Sequence, residues 1–162
     1  KLNIEDYNAL KKVAEGIDVI IHLAAQAGVR YSLENPRQYI DSNITGHFNI
    51  LEICRQHNVK KLVYASSSSV YGLSDKFPLS IEDRVDSPVS LYAATKKCDE
   101  IISQSYNALY KIPMIAKILS NVFLLFSISS AKLFILLVLK KSFVSFYIKI
   151  SKKYTSQKKT LN

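Results

Sequence analysis

Tyr92 and Lys96 stand four residues apart in SLYAATKKCDE (residues 90–100), a spacing that puts both side chains on one face of a helix. A tyrosine is a poor base at neutral pH, because its phenol ionises at about pH 10. An ammonium held close favours the phenolate, and a cationic cofactor ring would add to the effect. Such a pair can exchange a proton with a substrate hydroxyl as general base or acid. A second group, a serine from YASSSSVYG (residues 64–72), would hold that same hydroxyl in place. Tyr-x-x-x-Lys alone recurs by chance in many helices. Its weight comes from what precedes it: a strand, a row of serines and a long loop.

Those elements can be read from pattern. EDYNALKKVAEG (5–16) places Tyr7, Leu10 and Val13 at helical spacing and closes on Gly16, which predicts an amphipathic helix. IDVIIHLAA (17–25) and VKKLVYASS (59–67) are short apolar runs that predict strands buried on both faces. Between them, a helix is expected from about Asp41, with Ile44, Phe48, Leu51 and Cys54 facing inward. After the serines comes a loop with Pro78 and Pro88, then the helix carrying Tyr92 and Lys96 (90–110), then IPMIAKIL (112–119) as a third strand. Alternating helices and strands predict an α/β fold with a parallel sheet. Ligands of such sheets sit beyond the carboxyl ends of the strands, which is where the serine row falls, so its hydroxyls are expected to face the cleft.

The 162 residues carry a formal charge of +9, but the charge is unevenly distributed. Residues 1–100 hold 12 Lys+Arg against 13 Asp+Glu, whereas residues 101–162 hold ten Lys and no acid. A local imbalance of that kind describes a tail and gives no sign of a nucleic-acid partner. Cys54 and Cys98 lie in no pattern and suit free thiols in a reducing, cytoplasmic compartment. The pair Cys54 and His57 in CRQH has no second pair to complete a metal site, so no metal is expected. His22 is expected to pack at its strand end, Tyr71 and Gly72 to shape a turn, and Cys98 to lie in the core.

IDVIIHLAA, YIDSNITGHFNILEICR, KKLVYASSSSVYG and SLYAATKKCDE resemble, in order, four successive motifs of the extended short-chain dehydrogenase/reductase family. This group comprises the sugar-nucleotide epimerases and dehydratases, and the match runs nearly ungapped from about residue 3 to residue 123. HLAAQAGVRYSLENP (22–36) is most similar to the UDP-glucuronate 4-epimerase branch. The resemblance implies a Rossmann-type doubly wound sheet, NAD as cofactor and a UDP-sugar as substrate, in an enzyme that is homodimeric. It implies inversion at the sugar C4 through a transient 4-keto intermediate, with a dehydratase of the same family as the alternative. Ser67, Tyr92 and Lys96 would be catalytic, Lys96 also holding the nicotinamide ribose. Ser68 and Ser69 would line the substrate and Arg30 would pair with its carboxylate or phosphate. Leu23, Ala24 and Ala25 would pass along the cofactor, and Asn3 and Ile4 would lie on its adenine side. Tyr92 and Asn43 would also be among the cofactor-binding residues, Asn43 beginning an Asn-x-x-Gly helix start in which Gly46 permits close packing.

The resemblance also has gaps. Its glycine-rich turn (Gly-x-x-Gly-x-x-Gly), which meets a pyrophosphate at a helix N-terminus, and its first strand are not found among these residues, so the expected fold is an incomplete Rossmann domain over 1–123. Residues 124–162 read as Lys, Ser, Phe, Ile and Leu without acid, Gly or Pro. That tail resembles the translation of a shifted reading frame; an apolar stretch at 118–139 leaves a membrane-associating role as the other reading. The expectation for the chain by itself is an inactive fragment.

Overall fold

The computed structural model describes residues 2–76 and 78–118 and the backbone of Leu133–Leu136. Asp6 starts the first helix, α1 (Tyr7–Val13), by accepting a hydrogen bond from the Ala9 N–H at 3.0 Å, the usual service of an aspartate at that position. The helix buries Leu10 but leaves Val13 39% exposed, so the expected three-residue stripe narrows to Leu10 with Tyr7 packed beside it.

Strand β1 (Val19–His22) is buried at all four positions and β2 (Lys61–Ala65) at its last four. They pair in parallel with Val19 opposite Lys61 and His22 opposite Tyr64. Strand β3 (Met114–Lys117) continues the parallel sheet beside β2, with Leu62 opposite Met114, and is largely exposed. On the other side of β1 lies β4 (Leu133–Leu136), also parallel, with Ile21 opposite Ile135. The sheet order is therefore β3-β2-β1-β4. Its fourth strand comes from the segment that composition sets apart from the rest. Among the described residues no helix is long and apolar enough to cross a membrane; the remainder of 118–139 lies outside them.

Three short helical pieces follow β1: α2 (Val29–Glu34), α3 (Pro36–Tyr39) and a π-helical turn (Ile40–Thr45) that runs into α4 (Gly46–Gln56). Pro36 opens α3 at a position where its missing N–H costs nothing. The wider π-turn changes which residues face inward. His47, Ile50, Leu51, Ile53 and Cys54 are buried, whereas Phe48, expected inside, is 43% exposed and rests edge-on against Tyr106 at 6.0 Å. Gly46 lies directly under Ile4: a Cβ there would fall 2.5 Å from Ile4 Cδ1. Helix α5 (Leu91–Tyr110) links β2 to β3. The core between sheet and helices gathers Ile4, Leu10, Ile20, Leu51, Cys54 and Leu62 among others. Both cysteines are free, but Cys98 is only half-buried, contrary to its expected place in the core.

Candidate active site

The carboxyl ends of β1 and β2 and the first turn of α5 lie at one end of the sheet, as a parallel sheet with helical crossovers requires. Ser90, in extended conformation, caps α5 by accepting from the Ala93 N–H at 3.1 Å. The preceding loop folds back on Gly72, whose φ of +62° and close approach to the Ser87 carbonyl leave no room for a side chain. Tyr92 thus enters the first helical turn, half-buried, with its ring 6.1 Å from that of Tyr39. Tyr39 is fully buried, and its hydroxyl donates to the carbonyls of Ala27 and Gly28 at 2.8 and 2.6 Å. Burial raises the Tyr39 phenol above its ordinary range. Nothing in the sequence reading pointed to Tyr39; the only signal was an aromatic residue between NPRQ and the Asn-x-x-Gly start.

Lys96 is 3% exposed. Its ammonium donates to the Ala65 carbonyl at the end of β2 and to Asp99 Oδ2, both at 3.2 Å. Asp99 is itself 1% exposed, and its Oδ1 has no partner among the described residues. Burial lifts its carboxyl to about 7 despite the neighbouring ammonium. An ammonium has three N–H groups, of which two go to these oxygens.

Asn43 is buried in the π-turn and uses its whole amide on the protein. Its Oδ1 accepts from the Gln26 N–H at 2.7 Å, and its Nδ2 donates to the Gln26 carbonyl at 3.1 Å and to Thr95 Oγ1 at 2.9 Å. The segment after β1 is thereby tied to α5. Leu23 and Ala25 are half-buried beside the buried Ala24, small enough at the two alanines for a ligand to approach the backbone.

The four serines do not all face the cleft. Ser66 is buried and donates to Glu100, so α5 takes that hydroxyl. Ser67 accepts from the Ser69 N–H at 3.2 Å and starts a 3₁₀ turn over Ser68–Tyr71. Ser67 and Ser69 are half-buried and Ser68 is exposed. Arg30 is exposed on α2. Asn3 is exposed and turned onto Glu5, while the Ile4 side chain is in the core, leaving only its backbone for a ligand.

Beneath the site lies a buried polar layer. His22 stacks on His47 with ring centroids 5.3 Å apart, and His47 shares a 2.8 Å hydrogen bond with Ser103. Burial first, then the Lys96 charge, holds His47 down to about 3; burial, then His47 and Lys96, holds His22 well below the usual imidazole range. Both are neutral at physiological pH. Burial likewise pushes the Cys54 thiol to about 12, which makes it inert.

A family model described as "NAD dependent epimerase/dehydratase family" matches residues 1–138. The chain belongs to that family. Protein CapI of Staphylococcus aureus is 55% identical over 115 residues, covering 70% of this chain and 34% of the relative. The "Probable UDP-glucuronate 4-epimerase" of Rhizobium meliloti (strain 1021) is 53% identical over 112 residues, covering 68% of this chain and 33% of that one. The solved UDP-glucose 4-epimerase from Brucella ovis, in complex with NAD, superposes with a TM-score of 0.68 at 27% identity, covering 72% of this chain and 36% of that structure. The chain thus spans about a third of the length of these family members.

Proposed function

We propose that these residues form the proton-transfer part of a nucleotide-sugar 4-epimerase acting on UDP-glucuronate to give UDP-galacturonate. The observation that carries this reading is Lys96, an ammonium buried one helical turn below Tyr92 and anchored at the end of the serine strand. Identity above 50% to the Rhizobium meliloti relative supports the choice of sugar.

Ser67 holds the sugar 4-hydroxyl and Tyr92 takes its proton. NAD, when bound, would supply a reversible acceptor for the C4 hydride, which would return to the opposite face of the sugar. Tyr92 then gives the proton back, so the carbon is inverted with no net oxidation. Lys96 would hold the nicotinamide ribose, and its charge favours the phenolate of Tyr92. Leu23, Ala24 and Ala25 give the cofactor close access to backbone, with Asn3 and the backbone of Ile4 toward its adenine end. Asn43 acts indirectly, by fixing Gln26 and Thr95. Ser68, Ser69 and Arg30 meet the sugar nucleotide, Arg30 through the glucuronate carboxylate or a phosphate.

The 162 residues contain no Gly-x-x-Gly-x-x-Gly turn, and a pyrophosphate needs such donors. By themselves they are expected to turn over no sugar and to bind NAD only weakly; micromolar binding in a calorimetric titration would contradict this. The activity is tested by placing residues 2–118 into the Rhizobium meliloti relative. The chimera should interconvert UDP-glucuronate and UDP-galacturonate. Turnover of a different UDP-sugar in preference to UDP-glucuronate would overturn the substrate assignment.

A further inference from the structure

Lysine side chains carry a strongly hydrated ammonium on a flexible stem and ordinarily reach for water. Lys96 does not, and what holds it is specific. Asp99 is three residues further along α5, so the helix itself sets the spacing between ammonium and carboxylate. The only side chain bonded to either Asp99 oxygen among the described residues is Lys96: Oδ2 accepts from it, and Oδ1 is buried without a partner. A carboxylate placed merely to tie elements together would bond across to another helix or strand, as Glu100 does to Ser66 and Glu52 does to Tyr106. Among the described residues the Asp99 carboxylate bonds only within its own helix, and only to the lysine.

We propose that Asp99 is a positioning residue for Lys96: with the Ala65 carbonyl it fixes the ammonium beneath the cleft and offsets part of its charge, and so sets how strongly Lys96 acts on Tyr92. The proposal rests on the epimerase reading above for its chemistry, but the tether itself can be tested without turnover. The groups facing Asp99 are Lys96 and Glu100 from α5, Cys98 beside it, His47 from α4 and Tyr64 from β2, with His22 of β1 stacked behind His47. Both histidines are neutral and Tyr64 is held in its phenol form by burial. Lys96 therefore provides the nearest opposite charge, and Asp99 acts chiefly upon it.

The first test uses the 162-residue chain and nitrogen-15 NMR of its lysine ammonium groups. One signal should be protected from solvent exchange and vanish in Lys96→Met. Asp99→Asn, which keeps an acceptor oxygen, should shift that signal but retain it, and Asp99→Ala should lose it to exchange. An unchanged Lys96 signal in Asp99→Ala overturns the proposal. The second test uses the chimera. Asp99→Asn removes the offsetting charge that Asp99 takes on as the pH rises through about 7, so the acidic limb of the kcat profile should move to lower pH, raising the rate near pH 7 by up to about twofold relative to the plateau. KM should stay within about twofold, since no sugar contact is touched. An unmoved limb overturns the proposal. A chimera without turnover before any substitution would count against the epimerase reading, and the NMR result would still decide the role of Asp99.

Discussion

Asn43 Nδ2 donates to Thr95 Oγ1 at 2.9 Å, and Thr95 Oγ1 donates in turn to the Tyr92 carbonyl at 2.9 Å. A residue in the π-turn after β1 thereby reaches the helical turn that carries the tyrosine, 52 positions along the chain. The same amide holds both backbone groups of Gln26, so one side chain sets the spacing between two walls of the cleft.

Asn43→Ala should therefore cost more than an ordinary buried polar deletion. It strands the Gln26 N–H and carbonyl and removes a donor from Thr95. A loss of about 2–4 kcal/mol is expected, read as a lower urea midpoint with an unchanged slope. A loss below about 0.5 kcal/mol, the size of an ordinary surface substitution, would mean that the clamp is not under load.

Gly46→Ala should destabilise the chain through overpacking. The added methyl meets Ile4 Cδ1 and Cγ1 at 2.5 and 2.6 Å, and Ile4 is buried with little room to move. The expected cost is about 1–3 kcal/mol. Ile4→Val removes Cδ1 and should recover part of it, so a double-mutant cycle should show a coupling; strict additivity would contradict the contact.

Acid stability follows from the buried layer. His22 and His47 ionise far below 6.5 in the folded chain, His47 at about 3, so their contribution is full above pH 6.5 and is lost as the pH falls toward 3. Asp99 has the opposite sign: raised from 3.8 to about 7, it contributes fully below pH 3.8 and loses that contribution as the pH rises through 7. Near pH 5 the unfolded chain binds a His47 imidazole proton that the folded chain does not. That one proton makes stability rise with pH by about 1.4 kcal/mol per pH unit. His47→Asn removes that imidazole and should lower the slope of stability against pH by about this amount between pH 4.5 and 5.5. An undiminished slope would contradict the account.

Much of this was legible in the sequence where one local pattern dominated. The runs at 17–25 and 59–67 contain β1 and β2, and the helix over 90–110 matches Leu91–Tyr110 closely, because Ser90 supplies its cap. Phe48 was misplaced because helical periodicity assumes an unbroken α-helix, and the π-turn at Ile40–Thr45 departs from it. Ser66 was misread because adjacent serines look alike in sequence, whereas the end of β2 turns one of them toward Glu100. Asp99 and Thr95 were written within the quoted motif. Their roles depend on partners from Ala65 and Asn43, contacts that no spacing along α5 reveals.

The most direct test of the central claim is Tyr92→Phe in the chimera, assayed for conversion of UDP-glucuronate to UDP-galacturonate and for bound NAD. The substitution removes one oxygen and leaves the ring against Tyr39. Conversion should fall to background while NAD stays bound and the thermal midpoint stays within about 2 °C of the parent's. Conversion at a near-parental rate would show that Tyr92 does not carry the proton.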